Sequence, residues 1–179
     1  MNILLVYGSP HKCGTTYTLA EAFLAGVDQN RPCVESVWLG EQKVAPCLGC
    51  EYCRSHDGAC VHGDAMTQLL PKVLNADLVV FVTPIYYFGF SAQMKAFIDR
   101  FYAVNAQLRA QTEKKAMLLC AGGGKEDWIP EGILANYHTM LRYLHWDSLG
   151  NVCALSCHVK DQLAETDYPE AARKLGESL

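Results

Sequence analysis

The chain has 179 residues, half of them hydrophobic, and a formal net charge of −4, which suits one domain over residues 1–179 with a sizeable core. A weakly acidic balance with no run of Lys or Arg excludes a track for nucleic-acid phosphates. No apolar segment approaches the roughly 20 residues of a membrane span, so neither a nucleic-acid nor a membrane partner is expected.

The amino terminus lacks the basic start and cleavage region of a signal peptide, and a cytoplasmic protein is expected. Nine cysteines then point to thiols, metal ligation or redox chemistry rather than a disulfide framework, and the odd count agrees.

The run Ile3 to Tyr7 is short and apolar and stops at Gly8-Ser9-Pro10, which predicts a strand covered on both faces. After the loop from Gly8 to Thr16, Leu19, Phe23 and Val27 recur every fourth residue with Ala20 and Leu24 beside them, the pattern of a helix with one buried side. Thr15 and Thr16 are expected to cap it. A strand entering a helix through Gly, Ser and Thr offers free amides and a positive dipole end to an anion, with phosphate the expected occupant. The same loop also reads as a tight turn shaped by Gly8 and Gly14. Neither G-x-G-x-x-G nor a closing Gly-Lys-Ser/Thr is present, which argues against ATP, GTP and a Rossmann dinucleotide.

Cys33 to Leu39 alternates loosely and predicts a second strand at a sheet edge. The following loop, Glu41 to Gly63, is longer than most connections and carries Cys47-x2-Cys50-x2-Cys53-x6-Cys60. Four thiolates so close together can wrap one cubane cluster or one tetrahedral zinc, or stay unligated. The run departs from the bacterial ferredoxin spacing, with Pro46 before it rather than a Pro after it. Cys13, Cys33, Cys120, Cys153 and Cys157 read as small packing residues, with Cys13 marked out by its place before a helix.

Asp64 is placed to cap a helix with Met66, Leu69, Leu70, Val73 and Leu74 on one stripe, which Pro71 should kink. Asp77 to Thr83 is a second doubly covered strand, left through an aromatic loop from Thr83 to Phe90. Ser91 opens a long helix with Met94, Phe97, Ile98, Phe101 and Leu108 on one face. Ala116 to Ala121 predicts a strand, Gly122 to Asp127 a glycine loop, and Pro130 the first turn of a helix carrying Ile133, Leu134, Tyr137, Leu141 and Leu144. Ser148 to Cys157 supplies the last strand, and Pro169 starts a short final helix.

Strands alternating with helices predict an open α/β fold, a three-layer sandwich around a five-stranded parallel sheet in the order 2-1-3-4-5. A ligand crevice is then expected at the carboxyl ends of strands one and three. The first loop brings amides and hydroxyls there, the second aromatic faces, and the third flexible backbone able to approach a planar ring. Singly each is ordinary; together they fit FMN.

Gly8-Ser9-Pro10-x-x-x-Gly14-x-Thr16, the cysteine loop, Thr83-Pro84-Ile85-Tyr86 and Gln93-Met94-Lys95-x-Phe97-Ile98-Asp99-Arg100 resemble the NAD(P)H-dependent FMN reductase family. Within it they look like the iron-sulfur flavoprotein branch. The resemblance covers roughly residues 1 to 127 and rests on the combination of motifs. It implies a flavodoxin-like fold with FMN phosphate on Ser9, Thr15, Thr16 and the intervening amides, and with His11, Lys12 and Gly14 beside it. The isoalloxazine would lie against Pro84, Ile85, Tyr86, Tyr87, Phe88 and Gly89, with Ala121, Gly122, Gly123 and Gly124 at its other edge. Thr15 stands where the family often has Asn, and His11 where it often has Arg or Lys; both can still donate. The branch carries a [4Fe-4S] cluster on a motif of this type, here Cys47, Cys50, Cys53 and Cys60, while other relatives keep similar cysteines with no cluster bound.

The implied activity is an NAD(P)H oxidoreductase passing electrons to an unknown small-molecule or protein acceptor. The flavin carries the chemistry, so no catalytic residue is named. The rival is an iron-sulfur flavoprotein electron carrier serving ferredoxin-like partners without a nicotinamide, and a third reading is a zinc-stabilised binding module. By analogy with the family, a homodimer or homotetramer is expected, with the Ser91 helix and the aromatic loop at the interface.

Overall fold

A computed structural model describes residues 1–28 and 33–179. Five parallel strands form the sheet: β1 (Asn2–Tyr7), β2 (Cys33–Trp38), β3 (Leu78–Tyr86), β5 (Lys115–Ala121) and β6 (Asp147–Ala154). They lie in the order β2-β1-β3-β5-β6, which is the predicted 2-1-3-4-5. A sixth, two-residue strand, β4 (Gly89–Phe90), pairs antiparallel with the end of β3.

The side chains of the central strands divide between two cores. Leu4, Val6, Val79, Phe81, Ala116 and Leu118 point to one, and Ile3, Leu5, Leu78, Val80, Met117 and Leu119 to the other. Both faces are therefore dry, as the unbroken apolar runs require. β2 is largely exposed, in keeping with its loose alternation.

Helices α2 (Met66–Asn75), α3 (Ala92–Asp99), α4 (Asn105–Ala110) and α5 (Glu131–Leu144) contribute residues to the first core. Helices α1 (Thr15–Gly26), α6 (Lys160–Ala164) and α7 (Tyr168–Glu177) contribute to the second. α2 runs through Pro71. Asp64 caps it as predicted, its Oδ1 accepting the Met66 amide at 3.1 Å. α6 was not legible as a helix, being only five residues long.

The predicted long helix from Ser91 is broken. α3 ends at Asp99, a 3-10 stretch covers Arg100–Val104, and α4 follows. The break coincides with Arg100, whose guanidinium is buried against Asp64, a tertiary pull that propensity alone does not encode.

α1 and α7 touch backbone to backbone through two glycines. A Cβ on Gly176 would lie 2.1 Å from the Phe23 carbonyl oxygen, and one on Gly26 would lie 2.0 Å from that of Arg173. Gly176→Ala must push α7 off α1 and is expected to cost about 1–3 kcal/mol by overpacking. Gly63→Ala, where the added carbon meets nothing within 4 Å, should leave the melting temperature nearly unchanged. Thermal unfolding of the two variants checks the contrast.

Candidate functional site

The carboxyl end of β1 is tied to the head of α3 by one buried hydroxyl. Ser91 Oγ donates to the Gly8 carbonyl at 2.7 Å and accepts the Met94 amide at 3.2 Å, capping α3. The Gly8 amide donates to the Val82 carbonyl at 2.8 Å. From this anchor the loop runs to α1, with Ser9 Oγ accepting the His11 amide at 3.1 Å.

The N-cap of α1 is Gly14, in extended backbone (φ −88°, ψ −175°), and no side chain of the described residues caps the helix. Thr15 and Thr16 thus do not cap it, contrary to the sequence reading. The Thr15 hydroxyl instead donates to the Cys157 carbonyl at 3.3 Å, which leaves the first-turn amides open to a ligand.

Beyond β3, the predicted aromatic loop is a tight hairpin. Ile85 and Tyr86 pair with Phe90 and Gly89, and the turn residues Tyr87 and Phe88 both have positive φ, 45° and 64°. Two such residues suit the twist of a two-residue hairpin, a place usually given to Asn or Gly. Tyr87 is 99% exposed, and the Phe88 ring lies 5.1 Å from that of Trp128.

The third side of the site is a pair of loops laced together. Gly122 N donates to Ala154 O at 2.8 Å, Cys157 N to Gly122 O at 3.1 Å and Ser156 N to Gly124 O at 2.8 Å. The His158 imidazole occupies the space over Gly123, where a Cβ would lie 2.0 Å from its Cε1.

These segments enclose a cavity of about 550 Å³ lined by Ser9, His11, Gly14, Thr15, Thr16, Pro84, Ile85, Tyr86, Ala121, Gly122 and Gly123. A second hollow of about 390 Å³ shares Ile85, Gly122 and Gly123 and adds Tyr87, Phe88, Gly124, Glu126, Trp128 and Ile129. Two expected contacts fall outside both. The Lys12 ammonium pairs with Glu41 and sits over the Trp38 ring, and Gly89 is occupied in the β4 ladder.

Cys13, Cys157, His158, Val159, Lys160 and Asp161 also line the cavity, and the sequence reading assigned none of them to it. The topology carried a signal: the strand order brings the exit of the last strand to the same rim as the others.

The four cysteines of the long loop share one hollow, small at about 20 Å³, with Cys47, Cys50, Cys53 and Cys60 all on its wall beside Arg100. The loop's stems are pinned together. The Asp64 carboxylate accepts the Ala45 amide at 2.9 Å and both Arg100 nitrogens at 2.7 and 3.0 Å, while Arg100 also donates to the Ala45 carbonyl at 2.9 Å. Gly49 and Glu51 adopt left-handed backbone (φ 63° and 57°), and the Gly49 amide donates to Cys47 Sγ at 3.5 Å. Among the described residues, no three His, Cys, Asp or Glu side chains are gathered so as to hold a single metal ion. No helix among them is long and apolar enough to cross a membrane.

The parallel five-stranded sheet with a rim cavity at a helix N-terminus defines a flavodoxin-like α/β protein. Residues 1–144 match the model of the NADPH-dependent FMN reductase family, and the chain belongs to that family. It is 36% identical over 100 residues to an iron-sulfur flavoprotein of Archaeoglobus fulgidus, a match covering 56% of this chain and 45% of that protein. It is 30% identical over 125 residues to one of Methanosarcina thermophila, covering 70% and 65% respectively. The matches therefore span about half to two thirds of those relatives. The NAD(P)H:quinone oxidoreductase structure of Methanothermobacter marburgensis superposes with a TM-score of 0.77 at 18% identity, over 99% of this chain and 95% of that one, a likeness of fold.

The side chains of Asp64 and Arg100 are 6% and 1% exposed. Burial disfavours the Asp64 carboxylate, but its bonds from Arg100 and from the Ala45 and Met66 amides outweigh this and hold its pKa below the ordinary value. Arg100→Leu strands a buried carboxylate and is expected to cost on the order of 3–5 kcal/mol. Because the folded pKa is depressed, the pair's contribution is complete above the unfolded carboxylate value of about 3.9 and is lost as pH falls through the folded one. Asp64→Asn should remove that acid dependence, a flattening that urea unfolding at a series of pH values reads directly.

Proposed function

We propose that the chain binds FMN in the rim cavity and acts as an NAD(P)H oxidoreductase. The observation that carries this reading is the convergence of four separate segments around the uncapped N-terminus of α1. The fit is chemical as well as spatial. Open amides with the Ser9 and Thr16 hydroxyls near them suit a phosphate, and a cavity of about 550 Å³ lies within the roughly 300–1,000 Å³ of small-molecule sites. The backbone of Pro84 to Tyr86 and of Gly122 to Gly123 suits a flat ring between them, with Phe88 and Trp128 flanking the second hollow for a nicotinamide or acceptor.

When bound, the flavin would take hydride from a nicotinamide and hand electrons on. The residues of the chain orient it: Ser91 fixes the spacing of two loops, Thr15 ties α1 to the last loop, and the hairpin shields one edge from water. Cys47, Cys50, Cys53 and Cys60 would hold a [4Fe-4S] cluster. What supports this reading is that all four cysteines stand on the wall of one hollow. The physiological assembly is proposed as a homodimer or homotetramer.

Thr16→Ala removes one bond to a charged group and is expected to weaken FMN by about 1.5–3 kcal/mol, roughly 10- to 150-fold, while riboflavin, which has no phosphate, binds wild type and variant alike. Equal weakening of both, or no yellow complex with either, would remove the phosphate assignment. Leu48, Tyr52 and Val61 are exposed apolar residues around the cysteine loop and favour a second reading, an electron carrier docking a protein partner there. Rapid mixing decides: bleaching of the flavin by NADH or NADPH supports the oxidoreductase, and bleaching by a reduced ferredoxin alone supports the carrier.

A further inference from the structure

Two cysteines that the sequence reading left as packing residues stand side by side just below the cavity rim. Cys120 on β5 and Cys153 on β6 are register partners, and their sulfurs are 3.2 Å apart, with the Cys120 S–H directed at Cys153. Neighbouring strands lie about 4.8 Å apart, inside the roughly 4.4–6.8 Å range of Cα separations that a disulfide spans. We propose that Cys120 and Cys153 form a reversible dithiol–disulfide couple, oxidised by peroxide, that staples the edge strand β6 to β5 beneath the cavity. This rests on the pair's own geometry and not on any bound flavin.

The two thiols are unequal in a way that gives each a role. Cys120 is fully buried, whereas Cys153 is only partly buried and lies on a strand that, among the described residues, pairs with β5 alone. Their contact and burial raise the Cys120 thiol well above its ordinary value, and the hydrogen bond from Cys120 lowers that of Cys153. The thiolate therefore forms on the accessible sulfur, which is the attacking one.

In the first step the Cys153 thiolate attacks a peroxide oxygen. The O–O bond breaks, hydroxide leaves and takes a proton as water, and Cys153 becomes a sulfenic acid. Cys120 then loses its proton and attacks that sulfur. The S–S bond forms as the S–O bond breaks, and the departing hydroxide is protonated to a second water. Two thiols give up two electrons and two protons in all, and one hydrogen peroxide accepts both. An added dithiol reverses the change by exchange.

The consequence reaches the cavity. Ala121 and Gly122 follow Cys120 directly, and Gly122 is bonded to both Ala154 and Cys157, so the staple would fix the glycine loop against the last loop. Cys157 takes no part: it lies in the core on the other face of the sheet.

The test is peroxide treatment of the native chain, with and without FMN, followed by a catalase quench, alkylation and peptide mass spectrometry. A peptide pair joined through Cys120 and Cys153, two hydrogens lighter and released by dithiothreitol, is expected in both samples. Amide exchange should slow at residues 122–124 and 154–158. In Cys120→Ala a Cys153 sulfenic acid that dimedone traps should accumulate and pass on to sulfinic acid with further peroxide, and in Cys153→Ser, Cys120 should stay reduced. The proposal is overturned if cysteines elsewhere oxidise while the Cys120–Cys153 pair stays unjoined, or if wild-type Cys153 passes to sulfinic acid as fast as it does in Cys120→Ala. Because the linkage is expected without FMN, its failure is distinguishable from a failure of the flavin reading.

Discussion

A parallel sheet with both faces dry is the constraint on which everything else depends. Strands such as Leu4-Leu5-Val6 and Val79-Val80-Phe81 have no polar face to turn to water, so helices must cover both sides, and every connection must cross back before the next strand can begin. All five strands then end at one rim. The loops there are freed from packing and can carry glycines, hydroxyls and aromatics that would damage a core. The cavity is a by-product of burial that the loop chemistry makes a candidate site.

α3 links the two parts of the molecule with chemical promise. Its N-cap, Ser91, bonds to Gly8 at the head of the helix-entry loop, and the first residue past its end, Arg100, lies on the wall of the four-cysteine hollow. Eight helical residues span about 12 Å at 1.5 Å per residue. A rigid element of that length fixes the separation of rim cavity and cysteine hollow through packing rather than through flexible loops. The Asp64–Arg100 pair has a matching role: it closes a long loop at its stems, so that the ordering of four cysteines does not depend on a ligand alone.

The fold was legible because burial writes itself into composition. Three unbroken apolar runs named the central strands, and the polar positions of Val34-Glu35-Ser36 named an edge. The site was legible where a strand met a helix through small residues, at Ser9, Gly14 and Thr16. Lys12, expected beside the phosphate, turns instead to Glu41 and Trp38, partners at and just after the end of β2 whose position follows from tertiary packing. Cys157, His158 and Lys160 were missed for the opposite reason. Their loop has no motif of its own, and only the strand order delivers it to the rim. The break at Arg100 was equally hidden, because the stripe Phe97, Ile98, Phe101 continues helically through it while the guanidinium answers a carboxylate distant in sequence.

The hairpin at the end of β3 shows how local preference yields at such a rim. Left-handed backbone costs an ordinary residue roughly 1–2 kcal/mol, and Tyr87 and Phe88 bear it in succession. The surroundings hold them there. Ile85 and Tyr86 are fixed by the ladder to Phe90 and Gly89, and Phe88 packs on Trp128. Gly132 leaves room for the Phe88 carbonyl, which would lie 2.5 Å from a Cβ at that position. An Asn-Gly turn would form the same hairpin at less cost but would present no ring. The ladder and the Phe88–Trp128 packing thus hold two residues in a conformation that local preference disfavours, with Tyr87 turned fully to solvent at the tip.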